Sequence, residues 1–470
     1  MNTNYLKKQD KDQLLRHANE LEKILTSLKG KHREVFSEFL PSLQGEVIRL
    51  GENLEQTGLA VEQEVRILEQ VCEELYVLST ESERETEMFG ALERDLTEVR
   101  NGILSYPAKK LILFLPYKAS MWDSLESVYL ACKGYENMEC RVMPIPYFSK
   151  SEEGTGLTMH IDEGFPADIP ITDCRSYDLS LAEPDAILIH NPYDNANYVT
   201  SVHPMFYSDE LKKHTPCLIY IPYYTENHGL SFPQSNLPVY RNMDWFISPS
   251  EAHKESTREL YFYEKVVALG SPKLDKAVRL SKNAPGFPAS WGSVPEGKKR
   301  ILLDTTVNYV LNDANEPLST LRSIFDRIRE TEDVILVWRP HPLLSDTYRS
   351  LRPEDYPKLQ ELKRYFSEER IGIYDETGDA ALALSLCDAE LDSGSSMAVL
   401  AAASEKPVFR IPYGKWDMAL LDGFLESLRR GELEETVREE KEKLSEFAGP
   451  CDGRSGERIA EWLNKILNGI

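Results

Sequence analysis

The feature that most limits how this chain can fold is a rhythm of short, unbroken apolar runs. The first series begins with "KKLILFLPY" and continues through "ECRVMPIP", "PDAILIHNPYD", "PCLIYIPYY", "DWFISPS" and "KVVALGSP". Each run is of strand length, and most close on Pro, Asn or Ser. Apolar runs without alternation are strands covered on both faces, as in parallel sheets flanked by helices. The stretch "SKNAPGFPASWGSVPEGKK" from Ser281 to Lys299 then concentrates Pro, Gly and Ser, as interdomain linkers do. A second series follows with "RILLDTT", "VILVWRPHP", "IGIYDE", "AELDSG" and "KPVFRIP", separated by helical stretches. The pattern predicts two Rossmann-like α/β domains facing a cleft, over residues 106–285 and 286–415. The segment from Tyr147 to Pro170 lacks periodicity and reads as a long surface loop. Residues 416–470 read as helices packing back across the domains.

Ahead of the sheets, Leu14, Ala18, Leu21, Leu25 and Leu28 recur at alternating steps of four and three, as do Val61, Val65, Leu68, Cys72 and Leu75. Such heptads suit antiparallel helices or a coiled coil. Pro41 and Gly51 interrupt them, which predicts a helical hairpin or short bundle over residues 1–105. The segment looks too short for a full core of its own, so it reads as an assembly element, most simply for a homodimer. The charged stretch from Glu81 to Arg100 reads as a solvated helix leading into the next domain.

At 470 residues the chain is long for one core. Its 78 acidic against 54 basic residues give a formal net charge of -24, which disfavours nucleic acid and anionic lipid as nonspecific partners. The seven cysteines are scattered with no close pair, as reduced thiols of a cytoplasmic protein are. No apolar segment follows the N-terminal lysines and none approaches membrane-spanning length, so no transmembrane segment is expected and membrane contact would be peripheral. No DxD-like or His/Cys cluster stands out. No protein-held metal and no tightly bound cofactor is expected, and Mg²⁺ would enter only with a diphosphate substrate.

In open α/β sheets ligands meet the carboxyl ends of the strands. In the second domain these ends carry Thr305, Thr306, Arg339, His341, Asp375 and the run Asp392, Ser393, Gly394, Ser395, Ser396. Arg339 offers a bidentate fork, His341 a ring donor, and Ser395 and Ser396 offer hydroxyls ahead of an alanine-rich helix. A plain helix cap is the alternative for the serines, and a Pro-stiffened turn for "RPHP". In the first domain Lys118, Ser120 and Trp122 follow one strand end, and Tyr193, Asp194 and His203 follow another. His228 follows "PCLIYIPYY", with Glu226 two residues back and Gly229 beside it to admit a close approach.

Five stretches resemble, in order, the motifs of the CDP-glycerol glycerophosphotransferase family. They are "NHG" at Asn227, "GSPKLD" at Gly270, "LLDTTVN", "WRPHP" and "CDAELDSGSSMAVLAAASEKPVFRIPY", and the resemblance covers roughly residues 110 to 415. The resemblance implies a GT-B fold and transfer of a glycerol-phosphate or related alditol-phosphate unit from a CDP-linked donor to a hydroxyl acceptor, releasing CMP, in teichoic-acid-type polymer synthesis at the inner face of the membrane. It puts His341, Ser395 and Ser396 on the donor phosphates with Arg339 beside them, and His228 on the general base. Thr306, Asp375, Asp392 and Gly394 would line the nucleotide side, and Lys118, Asp194 and His203 the acceptor side. The chain departs from the family pattern at Asn227, Lys273 and Gly394, which leaves its nucleotide half nearer the family than its acceptor half. A nucleotide-sugar glycosyltransferase, or an enzyme like UDP-GlcNAc 2-epimerase, would share the two-domain cleft and prefer uridine. A noncatalytic nucleotide-binding assembly protein would bind without turnover.

Overall fold

The computed structural model describes residues 4–29, 33–80, 85–150, 157–161, 163–197, 200–225 and 228–469. Helices α1 (Lys8–Leu28), α2 (Arg33–Glu55), α3 (Glu62–Thr80) and α4 (Glu85–Ser105) form a bundle in which α1 packs on α2 and α4, and α3 packs on the same two. The heptad residues of α1 and α3 share one buried cluster with Val47, Leu50 and Leu54 of α2 and Leu92, Leu96 and Val99 of α4. That cluster draws on nothing beyond Tyr106. The bundle therefore has its own core, which corrects the expectation that the segment is too short for one and removes the motive for reading it as an assembly element. Helix α2 also runs unbroken through Pro41 and Gly51. An interior proline costs a helix about 3 kcal/mol, and the burial of Leu40, Leu43, Val47 and Leu50 around it offsets that cost. Helix α4 is a bundle member rather than a solvated connector, because Phe89, Leu92, Leu96, Val99 and Ile103 keep one apolar face. Residues 81–84 of that charged stretch lie outside the described residues.

Strands β1 (Lys110–Leu115), β2 (Met138–Val142), β3 (Tyr147–Lys150), β4 (Leu157–His160), β5 (Ala186–Ile189), β6 (Thr200–Val202), β7 (Leu218–Tyr220), β8 (Trp245–Ser248) and β9 (Val266–Ala268) belong to the first α/β domain. Six of them form a parallel sheet in the order β2-β1-β5-β7-β8-β9. Strands β3, β4 and β6 form a separate antiparallel ribbon. The expected loop from Tyr147 to Pro170 thus holds two strands; residues 151–156 and 162 within it lie outside the described residues.

Strands β10 (Lys299–Thr305), β11 (Val334–Pro340), β12 (Gly372–Tyr374), β13 (Ala389–Asp392) and β14 (Val408–Arg410) form a second parallel sheet in the order β12-β11-β10-β13-β14. The chain winds outward from β10 to β12, then restarts on the other side of β10 with β13. This reversal is a topological switch point, where ligands of such sheets bind. The GT-B-like arrangement of two α/β domains and a preceding helical segment is the observed one. Helix Pro272–Lys282 joins the domains, packing on α5 (Asp123–Cys132) and on helices Ala380–Ser385 and Met397–Ala403. The linker beyond it is anchored by buried Trp291. Helix Ser455–Asn468 returns to the first domain, where Ile459, Ala460 and Leu463 share a core with α5, Ile112 and Phe114. Among the described residues no helix is long and apolar enough to cross a membrane.

Candidate functional site

A cavity of about 720 Å³ opens between the two domains. From the first domain it is lined by Tyr117, Lys118, Ser120, Trp122 and Asp123 after β1, and by Tyr147. The bridging helix adds Lys273 and Lys276, and the second domain adds Arg339, Thr377, Asp379 and Ser396. Lys273 pairs with Asp123 at 3.1 Å, and Lys276 reaches Asp379 of the second domain at 2.7 Å. Lys118 differs from them. Its amine lies 5.3 Å from the Tyr117 ring and 5.1 Å from the Tyr147 ring, with no carboxylate partner among the described residues. Burial lowers its pKa, because an ammonium loses hydration there.

Arg339 ends β11 and lines both this cavity and an adjoining one of about 250 Å³. Its guanidinium is held by Asp375 and by Thr377 Oγ1. Asp375 is fully buried at the side chain and also accepts from Trp291 Nε1 at 2.8 Å. Asp375 therefore aims the arginine rather than meeting a ligand itself. His341 lines the smaller cavity with Lys363. Its Nδ1 accepts from the Leu343 N–H at 3.1 Å, so in the neutral ring the proton sits on Nε2, and partial burial lowers the ring pKa. The site thus offers a forked cation and a neutral N–H donor side by side, a combination that suits phosphate oxygens.

The serine loop is built differently from its sequence expectation. The N–H groups of Gly394 and Ser395 both donate to Asp392 Oδ1, at 2.9 and 2.8 Å, and the Met397 N–H donates to Ser395 Oγ at 2.9 Å. The Ser395 hydroxyl also meets Asp304 and Asp392. These groups are turned into the domain, so the cap reading holds for Asp392 and Ser395, while Ser396 lines the cleft. Thr306 ties β10 to the loop, its N–H donating to Ser393 Oγ at 2.8 Å and its hydroxyl to the Ser393 carbonyl at 3.0 Å. Gly394 is favoured by its backbone conformation. Its φ is +91°, and a Cβ there would come within 2.7 Å of the Tyr413 hydroxyl oxygen. Beneath the loop burial drives Asp304 up to about 7, with Asp392 adding to the shift, and drives Glu390 well above the carboxylate range.

Three expected residues stand apart from the cleft lining. Asp194 is buried at a left-handed turn, φ 50°, accepting from Ser208 N and Oγ at 3.1 and 2.7 Å; burial raises its pKa to about 6. His203 caps a short helical turn through Met205 N and stacks on Phe148. His228 is exposed, its Nδ1 2.8 Å from the Gly229 carbonyl. Glu226 and Asn227 lie outside the described residues. The close approach at Gly229 is to Ser256, whose Cβ would be 2.5 Å from an added Cβ. Conversely, Lys276, Thr377 and Asp379 were missed. Lys273 and Lys276 at a spacing of three, on the helix after β9, were the available signal.

Fold and cleft together define a protein with two α/β domains and, between them, a cavity that Lys118, Lys273, Lys276 and Arg339 line. No family model and no curated protein matches the chain. Solved structures similar to it include the wall teichoic acid polymerase TagF, at 12% identity and a TM-score of 0.48, covering 87% of this chain and 98% of that one. They also include the S. aureus MnaA–UDP co-structure, at 15% identity and a TM-score of 0.47, covering 77% and 98%. A third is the UDP-GlcNAc 2-epimerase of Methanocaldococcus jannaschii in complex with UDP-GlcNAc and UDP, at 15% identity and a TM-score of 0.43, covering 76% and 99%.

Proposed function

We propose that the protein is a transferase that binds a nucleoside-diphosphate-linked donor on its second domain and passes a phospho-alditol unit to a hydroxyl acceptor entering from the first. The observation that supports this most is Arg339, steered by Asp375 and Thr377 into an interdomain cavity that Lys118 lines from the other side. In the step proposed, the acceptor oxygen bonds to the phosphorus bearing the alditol, and the bond from that phosphorus to the CMP phosphate oxygen breaks. CMP leaves with the electron pair, and the acceptor proton passes to a base. Arg339 and the His341 Nε2–H suit the growing negative charge on CMP. The family resemblance favours His228 as base. Lys118, lining the cleft with a lowered pKa, is the candidate that the geometry favours. The choice of a CDP-linked alditol rests on the ordered motifs.

The test is calorimetric binding of CDP, UDP, ADP and GDP, with CMP release from CDP-glycerol measured in parallel. Tightest binding of CDP is expected, and Arg339→Ala should lose roughly 1.5 to 3 kcal/mol of it, since a hydrogen bond to a charged group is removed. A uridine preference would redirect the donor assignment to nucleotide sugars. Replacing the base should lower turnover by roughly 10² to 10⁴ while CDP affinity holds, and comparison of Lys118→Met with His228→Ala decides between the two.

A further inference from the structure

We infer that Asp304, Glu390 and Asp392 form a buried site for a hard divalent cation beneath the serine loop. Parallel pairing sets Leu302 beside Glu390 and Leu303 beside Leu391, so Asp304 and Asp392 fall next to one another at the ends of β10 and β13. Glu390 lies two residues back, on the same face of its strand. One carboxylate oxygen from each residue lies within 4.8 Å of the others. All three side chains are buried, Glu390 with 0% exposure.

Glu390 is the independent sign of a ligand. Both of its carboxylate oxygens are buried and neither has a hydrogen-bond partner among the described residues. A carboxylate sealed without a donor costs several kcal/mol, and here it points among two further carboxylates. Asp304 and Asp392 are by contrast served by the Ser393 N–H and by the Gly394 and Ser395 N–H groups. The positive charge felt from outside is Arg410, which is exposed and paired with Glu440. Oxygens that lie no more than 4.8 Å apart are close enough for one cation to bind all three at the 2.3–2.6 Å distances roughly typical of Ca²⁺. The donors at hand, three carboxylates with the Ser393 hydroxyl 3.5 Å from Asp304, are all oxygen. Such a set selects Ca²⁺, Mg²⁺ or Mn²⁺ over thiophilic metals. The cation would fasten β10 to β13 under Ser393 to Ser396, and so set the position of the loop that lines the cleft. This inference is independent of the donor's identity and is tested without nucleotide.

The full chain is stripped with EDTA, desalted, and melted alone and with calcium, magnesium or manganese chloride, while metal content after equilibrium dialysis is read by mass spectrometry. One equivalent of metal and a rise in melting temperature on the order of 5 °C at about a hundredfold excess over Kd are expected. Glu390→Gln should lose the metal and the shift, and in EDTA it should melt above the stripped parent, because one unpaired buried carboxylate is gone. If Glu390→Gln does not fold, the parent titration alone decides. Absence of bound metal and of any shift with all three salts would mean that the carboxyls carry protons, and the inference would fall.

Discussion

Adjacent serines in the same loop do different work. Ser395 is turned toward Asp304 and Asp392 and caps the Met397 N–H, whereas Ser396 lines the cleft. Ser395→Ala is therefore expected to lower stability by about 1 kcal/mol with CDP affinity nearly unchanged. Ser396→Ala should weaken CDP binding with little change in melting temperature; calorimetry and thermal unfolding of the pair separate the roles. The sequence showed that "DSGSS" and "WRPHP" end strands of one sheet, since runs buried on both faces reveal where they stop. It could not show which serine points inward, because that depends on Asp304, far away in the chain and brought alongside by register. Nor could it show that Asp375 serves Arg339, because the third partner, Trp291, sits in a stretch that reads only as linker.

Among the elements, the connection from β1 into α5 carries Lys118 and Trp122 to the cleft, and His190 at the end of β5 holds it in place. His190 Nε2 accepts from the Tyr117 N–H at 3.1 Å, and Nδ1 lies 2.9 Å from Ser124 Oγ and 3.2 Å from the Met121 carbonyl. A ring that accepts at Nε2 must carry its one proton on Nδ1, so a second proton has no place. Burial lowers the pKa from 6.5 to about 3. Between those values the unfolded chain binds a proton that the folded chain refuses. The contribution of His190 to stability is full above pH 6.5 and falls on acidification, by about 1.4 kcal/mol per pH unit. Urea unfolding at pH 7, 6 and 5 should show this slope flattened in His190→Gln. At this scale the parallel strands were legible and the antiparallel ribbon was not. Strands β3 and β4, "YFSK" and "LTMH", are four residues each; β3 lacks alternation, and the alternating β4 is largely exposed, so no buried face marks either. Helix α4 hides its face for a related reason: its seven charged residues outnumber the five apolar positions, Phe89, Leu92, Leu96, Val99 and Ile103, that hold it.

At the level of the whole molecule, the bundle and the two sheets are separate cores. The bundle's buried cluster shares no residue with those of the sheets. A chain beginning at Pro107 is expected to fold and to melt cooperatively, and to bind CDP as the full chain does. Circular dichroism and calorimetry check this, and a fragment that aggregates or melts without cooperativity would show that the bundle supports the sheets.

The return of helix Ser455–Asn468 to α5 bears on how the molecule is made. Domains tend to fold as they leave the ribosome, N-terminal first. Here the first α/β domain emerges with Ile112, Phe114 and the outer side of α5 still awaiting Ile459, Ala460 and Leu463, which are translated only after the entire second domain. Through that interval the nascent protein presents an oily, unfinished surface of the kind chaperones hold. A message cut short after the second sheet would yield a product marked for degradation by the surface it leaves bare.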